Sequence, residues 1–312
     1  MRFPILFLLP ALAGAAMFPD TLGTAHRTAS HPISVTDQAL WAEYGLQDSE
    51  QASYEVEPKS NAPYTVAGYR LQDPTGALAA YQWQVGGKSP AQTVARVGTY
   101  LLVFERHRPT SAELGALKGS LPRLEDGPLP TLPNYLPGYG LSPVSERYVL
   151  GPVSLAKFYP GISPSEAGFH FGAEAQVADF ISPAGTLKLA VFSYPTEGIA
   201  RDRAAAFEKV SRAMAKRAGP LVAVVLAPTD LNEAEKLLSQ IRYQASVTQG
   251  HRFSPPPENA GVFFINIFKL IGILLVFCIL SGLAVGGWRI ILRRGGLNGD
   301  GDQMISLGLR NR

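Results

Sequence analysis

The chain has 312 residues, a formal net charge of +3, 46% hydrophobic residues and one cysteine. Arginines near the C-terminal end contribute much of the charge, so it does not point to a nucleic-acid partner. The lone Cys278 sits in an apolar run, which leaves the rest of the chain without a disulfide or a thiolate for metal or nucleophilic chemistry. Stability of that body must come from burial, and roughly 230 residues suffice for a sizeable core or two.

The opening "MRFPILFLLPALAGAAMFPD" orders one basic residue, an apolar run too short to span a bilayer, and small residues. That pattern predicts a secretory signal peptide over 1–16. A first α+β unit is expected over 17–121. Its strands at Ser53–Val56 and Tyr64–Arg70 flank the turn-forming "PKSNAP". Asp73 then caps a helix with Pro74 at its first position and Ala77, Leu78, Tyr81 and Val85 on its apolar face. A strand over Tyr100–Glu105 and a helix over Ser111–Gly119 complete the unit.

Residues 122–150 carry prolines at 122, 128, 130, 133, 137 and 143. No helix or central strand tolerates that density, so they read as a connector. A second unit over 151–247 repeats the order. Strands at Ala175–Ile181 and Thr186–Tyr194 precede a helix opened by Pro195 and Thr196. A wholly apolar strand at Leu221–Leu226, expected to be buried on both faces, precedes a helix at Asp230–Ile241, and "RYQASV" is a candidate last edge strand. Pro74/Pro195, Thr75/Thr196, Arg96/Arg217, Gly98/Gly219, Val103/Val224 and Leu117/Leu238 share one offset, 121 residues. The expected fold is therefore α+β, two similar units of mostly antiparallel sheet with helices packed on one face.

Three consecutive prolines, Pro255 to Pro257, make 248–261 a stiff stalk. Between Lys269 and Arg289 lie 19 residues without a formal charge, enough for a helix to cross the hydrocarbon layer, so 262–292 is expected to be a transmembrane helix. Lys269 and Trp288 suit its two interfaces, and Arg289, Arg293 and Arg294 match the cytoplasmic excess of positive charge. Together with a cleaved signal they place the body outside and the tail, 293–312, in the cytoplasm of a single-pass cell-membrane protein.

"LPNYLPGYGLSPVSERYVLGP" at Leu132–Pro152 resembles a segment of an uncharacterised bacterial family known as domain of unknown function 6599. The likeness extends to "FPDTLG", "WAEYGL", "YRLQDPTGALAAYQW" and "KRAGPLVAVV". It implies an exported bacterial protein and gives no mechanism.

Catalytic signatures are sparse. His26, His31, His107, His170 and His251 are scattered without metal-ligand spacing, and neither a nucleophile elbow nor a phosphate-binding glycine loop follows a strand. No catalytic, cofactor-binding or metal-binding residue is assigned, and no cofactor is expected. One polar cluster stands out: Glu146, Arg147 and Tyr148, between the halves. An arginine fork there suits either an anionic ligand or an ion pair, to Glu146 or another carboxylate, that pins the connector to the sheets; the structural role is the expectation. The resulting expectation is an extracytoplasmic binding or interaction module of a bacterial envelope assembly, with the bilayer and an envelope protein as partners, in preference to an enzyme. The alternative is an envelope hydrolase with a carboxylate or histidine site assembled only in three dimensions.

Overall fold

The structure, a computed structural model, describes residues 16–56, 62–243 and 260–294. The expected signal peptide, apart from residue 16, most of the stalk and the tail from residue 295 lie outside the described residues. Contacts divide the chain into one unit ending at Gln244 and another beginning at Ala245.

The first unit holds two antiparallel sheets. The N-terminal sheet comprises β1 (Thr21–Leu22), β2 (Ala25–Pro32), β3 (Leu46–Val56), β4 (Tyr64–Leu71), β5 (Gln92–Val97) and β6 (Tyr100–Glu105), in spatial order β1-β2-β3-β4-β6-β5. Its helices are α1 (Gln38–Glu43), α2 (Pro74–Gly87) and α3 (Ser111–Ser120). The C-terminal sheet comprises β7 (Arg147–Val149), β8 (Glu174–Ser182), β9 (Gly185–Ser193), β10 (Ala213–Ala218) and β11 (Leu221–Leu226), in order β10-β11-β9-β8-β7. Its helices are α4 (Pro152–Phe158), α5 (Pro164–Ala167), α6 (Glu197–Phe207) and α7 (Leu231–Ser239).

The local chemistry explains most boundaries. Asp73 accepts a hydrogen bond from the Gly76 N–H at 2.8 Å and Pro74 opens α2. Thr110 and Glu113 form a reciprocal capping box on α3. The second Pro-Thr pair acts differently: Thr196 is the cap of α6, which starts at Glu197, so Pro195 precedes the helix. The structural counterpart of Thr196 is thus Asp73, and the offset there is 123. β5 and β10, to which the sequence analysis assigns no strand, pair along β6 and β11. Arg242 and Tyr243 form no strand, and the rest of "RYQASV" is outside the described residues.

Register repeats between the sheets. Gln92 pairs with Glu105 and Ala213 with Leu226, and all six pairs of the β5–β6 hairpin recur 121 residues later in β10–β11. Gly98 and Gly219 both turn at positive φ, 54° and 60°. Arg96 donates to the Gly98 carbonyl at 3.3 Å, as Arg217 does to the Gly219 carbonyl at 3.0 Å.

Helices cover both faces of each sheet, which corrects the one-face expectation. Leu101 and Val103 of β6 pack with α1 and α2, while Tyr100, Leu102 and Phe104 pack with Leu117 of α3. Likewise Val222 and Val224 of β11 face α6, and Leu221, Ala223 and Val225 face α7. The cause is visible in the strands: β6 and β11 are apolar at nearly every position, so both faces need covering.

A single core joins the halves. The α2 face of the N-terminal sheet, with Trp41, Leu71, Ala77 and Ala80, is continuous with the α7 face of the C-terminal sheet, with Phe180, Leu189, Ala223 and Leu238. The stretches expected as two similar units, 17–121 and 151–247, thus share one core within one contact unit. The expected connector, 122–150, also contributes structure: β7 is the edge strand beside β8.

The second unit contains α8 (Ala260–Arg294), 35 residues long. Its stretch Phe268–Trp288 has a mean hydropathy of 2.5, and none of that window is buried. By length and composition it is a candidate membrane span.

Candidate functional site at the seam between the sheets

The segment Pro143–Val149 runs along α2 where the two halves meet. A short 3-10 turn at Pro143–Ser145 is held by the Ser142 carbonyl, which accepts from Ser145 N–H at 2.9 Å and Oγ at 2.6 Å. Ser145 Oγ in turn accepts from the Asp179 N–H at 2.8 Å, fixing the turn to β8. Glu146 closes the turn, and beyond it the chain becomes β7, where strand alternation sends Arg147 and Tyr148 to opposite faces.

Glu146 turns to one side. Gln176 Nε2 donates to its Oε2 at 3.3 Å and also to Gln82 Oε1 at 3.3 Å. Burial pushes the Glu146 carboxyl pKa up from its ordinary value. Gln176 is fully buried, and its Oε1 has no partner among the described residues.

Arg147 turns to the other side. Its Nη1 donates to three backbone carbonyls, of Gln82 at 3.1 Å, Val144 at 2.9 Å and Glu146 at 2.6 Å, and its guanidinium lies over the Phe158 ring at 5.7 Å. Burial pulls its pKa down, while Tyr44 and Asp179 pull it back. No ion pair to Arg147 exists among the described residues. The carboxylate partner anticipated from sequence is thus replaced by carbonyls, because Gln82 of α2 and the segment Val144–Glu146 bring their acceptors to the same atom.

Tyr148 points into the shared core. Its hydroxyl donates to Glu174, and its carbonyl accepts from Tyr44 Oη at 3.3 Å. Burial, then the hydrogen bond to Glu174 and its charge, raises its pKa far above the ordinary phenol value. A second tie crosses nearby: Glu43 of α1 accepts from the Val153 and Ser154 N–H groups at 2.7 and 2.9 Å, capping α4 in the other half.

Two cavities flank this segment and share Val144. The first, about 570 Å³, is lined by Leu78, Tyr81, Val85, Leu129 and several prolines, with Gln82 and Glu146 as polar wall. The second, about 470 Å³, carries Arg147, Lys157, Lys188 and Asp179 around Trp83, Phe158 and Gly86. Glu146 and Arg147, adjacent in sequence, therefore face separate cavities. Sequence reasoning isolates the triplet but misses Gln82, Gln176, Lys157, Asp179 and Lys188. The one signal was a glutamine and an aspartate interrupting the apolar strand "AQVADFI".

The histidines do not converge. His107 stacks on Tyr64 at 4.1 Å and meets Glu113 at 3.3 Å, and no metal-ligand cluster occurs among the described residues. Comparison of the chain with protein-family models, curated proteins and solved structures finds no match.

Proposed function

We propose that this chain is a membrane-tethered binding module of a bacterial envelope, with its body outside the cytoplasm and the seam between its sheets as the binding surface. The observation that carries this reading is the pair Glu146 and Arg147. Each is half-buried at the wall of its own cavity, and neither has an ionic partner among the described residues. Desolvated charges left without counter-ions are costly to the fold, and cavities of this size with a few convergent polar groups suit ligands. An envelope hydrolase with paired acids is less well supported, since each cavity has a single carboxylate in its described lining.

The body is proposed to be a duplication of one α+β unit. Support comes from the recurring strand order β3-β4-β6-β5 and β8-β9-β11-β10, and from the constant register offset. Membership of the domain of unknown function 6599 family is proposed on the quoted segments alone. The anchoring role of α8, and the outward orientation, rest on its apolar stretch and the arginines that follow it.

A photo-reactive amino acid at Val144, which is exposed and lines both cavities, tests the reading in intact envelopes. The expected result is a discrete cross-linked adduct at Val144 and none at exposed Asp202 on α6. Equal labelling at both positions, or none at Val144, rejects the seam as the binding surface.

A further inference from the structure

We infer that the cavity beside Arg147 is a site for an oxyanion, a phosphate or carboxylate group on a small hydroxyl-bearing molecule. The inference rests on the seam being a binding surface and names the chemistry it recognises. Three cations and one carboxylate line this cavity. The two lysines already have partners: Lys157 Nζ lies 3.0 Å from Asp37, and Lys188 Nζ lies 3.6 Å from Asp179 Oδ1. Arg147 is different. All three of its carbonyl acceptors engage Nη1, so the fork is aimed from one edge while Nη2 and Nε have no hydrogen-bond partner among the described residues.

The carbonyls of Gln82, Val144 and Glu146 account for the Nη1 edge and leave the other edge unexplained. Glu146, the nearest carboxylate in sequence, is committed to Gln176 on the other side. A planar donor pair already oriented by the backbone and by Phe158 matches two oxygens of a phosphate or carboxylate with little further ordering. Lys188 and Lys157 add charge at the rim. Asp179 Oδ1 faces Lys188 only at 3.6 Å and accepts no hydrogen bond among the described residues, so a ligand hydroxyl beside the anionic group would satisfy it. A half-open recess of about 470 Å³ is of a size that takes a small molecule.

Gly86 supplies a variant that moves the fork without deleting a charge. A Cβ at this position would meet Arg147 Nη2 at 1.8 Å, so Gly86→Ala must displace the guanidinium. Isothermal titration of the full chain in a neutral detergent would use glycerol 3-phosphate, inorganic phosphate and succinate at constant ionic strength in chloride. Saturable binding is expected for glycerol 3-phosphate, with affinity lowered about tenfold or more by Gly86→Ala and by Arg147→Lys, which keeps the charge and loses the fork. Lys188 is half-exposed on β9, so Lys188→Gln serves as the variant that tests the site with the fold intact; it should weaken binding severalfold. The inference is overturned if no probe binds above the chloride background, or if binding survives both Gly86→Ala and Lys188→Gln unchanged. A Val144 adduct in the absence of oxyanion binding would reject this chemistry alone and leave the seam as a binding surface.

Discussion

At the residue scale the seam shows how burial redistributes protons and charges. Glu146 has a raised pKa because burial disfavours its ionised form. Its contribution to stability is therefore greatest below the unfolded carboxylate pKa of about 4.3 and declines as pH rises through the raised folded value. Glu146→Gln keeps an acceptor for Gln176 and removes the desolvated charge. Thermal denaturation should find this variant more stable than the parent at pH 7 and indistinguishable from it near pH 4. Glu113 behaves oppositely. Burial opposes its ionisation, but hydrogen bonds from Thr110 and the interaction with His107 outweigh it and lower the pKa. Its stabilising contribution is present above the unfolded carboxylate pKa and is lost as pH falls through the lower folded value.

At the element scale, the matching hairpins make a comparison possible within one molecule. Gly98 and Gly219 occupy equivalent left-handed turns, yet their surroundings differ. A Cβ on Gly98 would meet the Glu125 carbonyl oxygen at 2.5 Å, which is backbone, whereas one on Gly219 would meet the Tyr243 ring, which can rotate away. Gly219→Ala should cost about 1–2 kcal/mol for the left-handed backbone alone, and Gly98→Ala measurably more, as read by urea denaturation. The cap that Glu43 places on α4 gives a second element-scale prediction. Its carboxylate accepts two backbone N–H groups across a separation of 110 residues or more. Glu43→Ala should cost about 1–2 kcal/mol, with Glu43→Gln recovering part of it.

At the scale of the whole molecule, the shared core decides which pieces are independent. Trp41 and Leu238, from opposite ends of the body, belong to one apolar cluster, so neither half should fold when expressed alone. The C-terminal boundary is different: Ile241 is buried in that core, and the contact division falls just beyond it, at Gln244. A chain ending after Glu258 should therefore be a soluble, folded body, giving a cooperative melt and a monodisperse peak on gel filtration. Persistent membrane association of that truncated body would contradict the boundary.

Sequence alone determined the features set by local rules. The Asp73 cap, the doubly apolar β11 and the apolar span in α8 could be read directly, because a cap needs only its own first turn and a span only its length. It also drew attention to Glu146, Arg147 and Tyr148. Tertiary structure alone decided the rest. β5 and β10 have weak strand signals of their own and exist because β6 and β11 offer a full edge to pair with. The two-faced helix cover follows from how the sheets share a core, and the direction of the Arg147 fork depends in part on the Gln82 carbonyl of α2, 65 residues earlier in the chain. Caps and spans are local energies that a short window contains. A cavity and its charge balance arise from side chains far apart in sequence, such as Gly86, Arg147 and Lys188, which only packing brings to one wall.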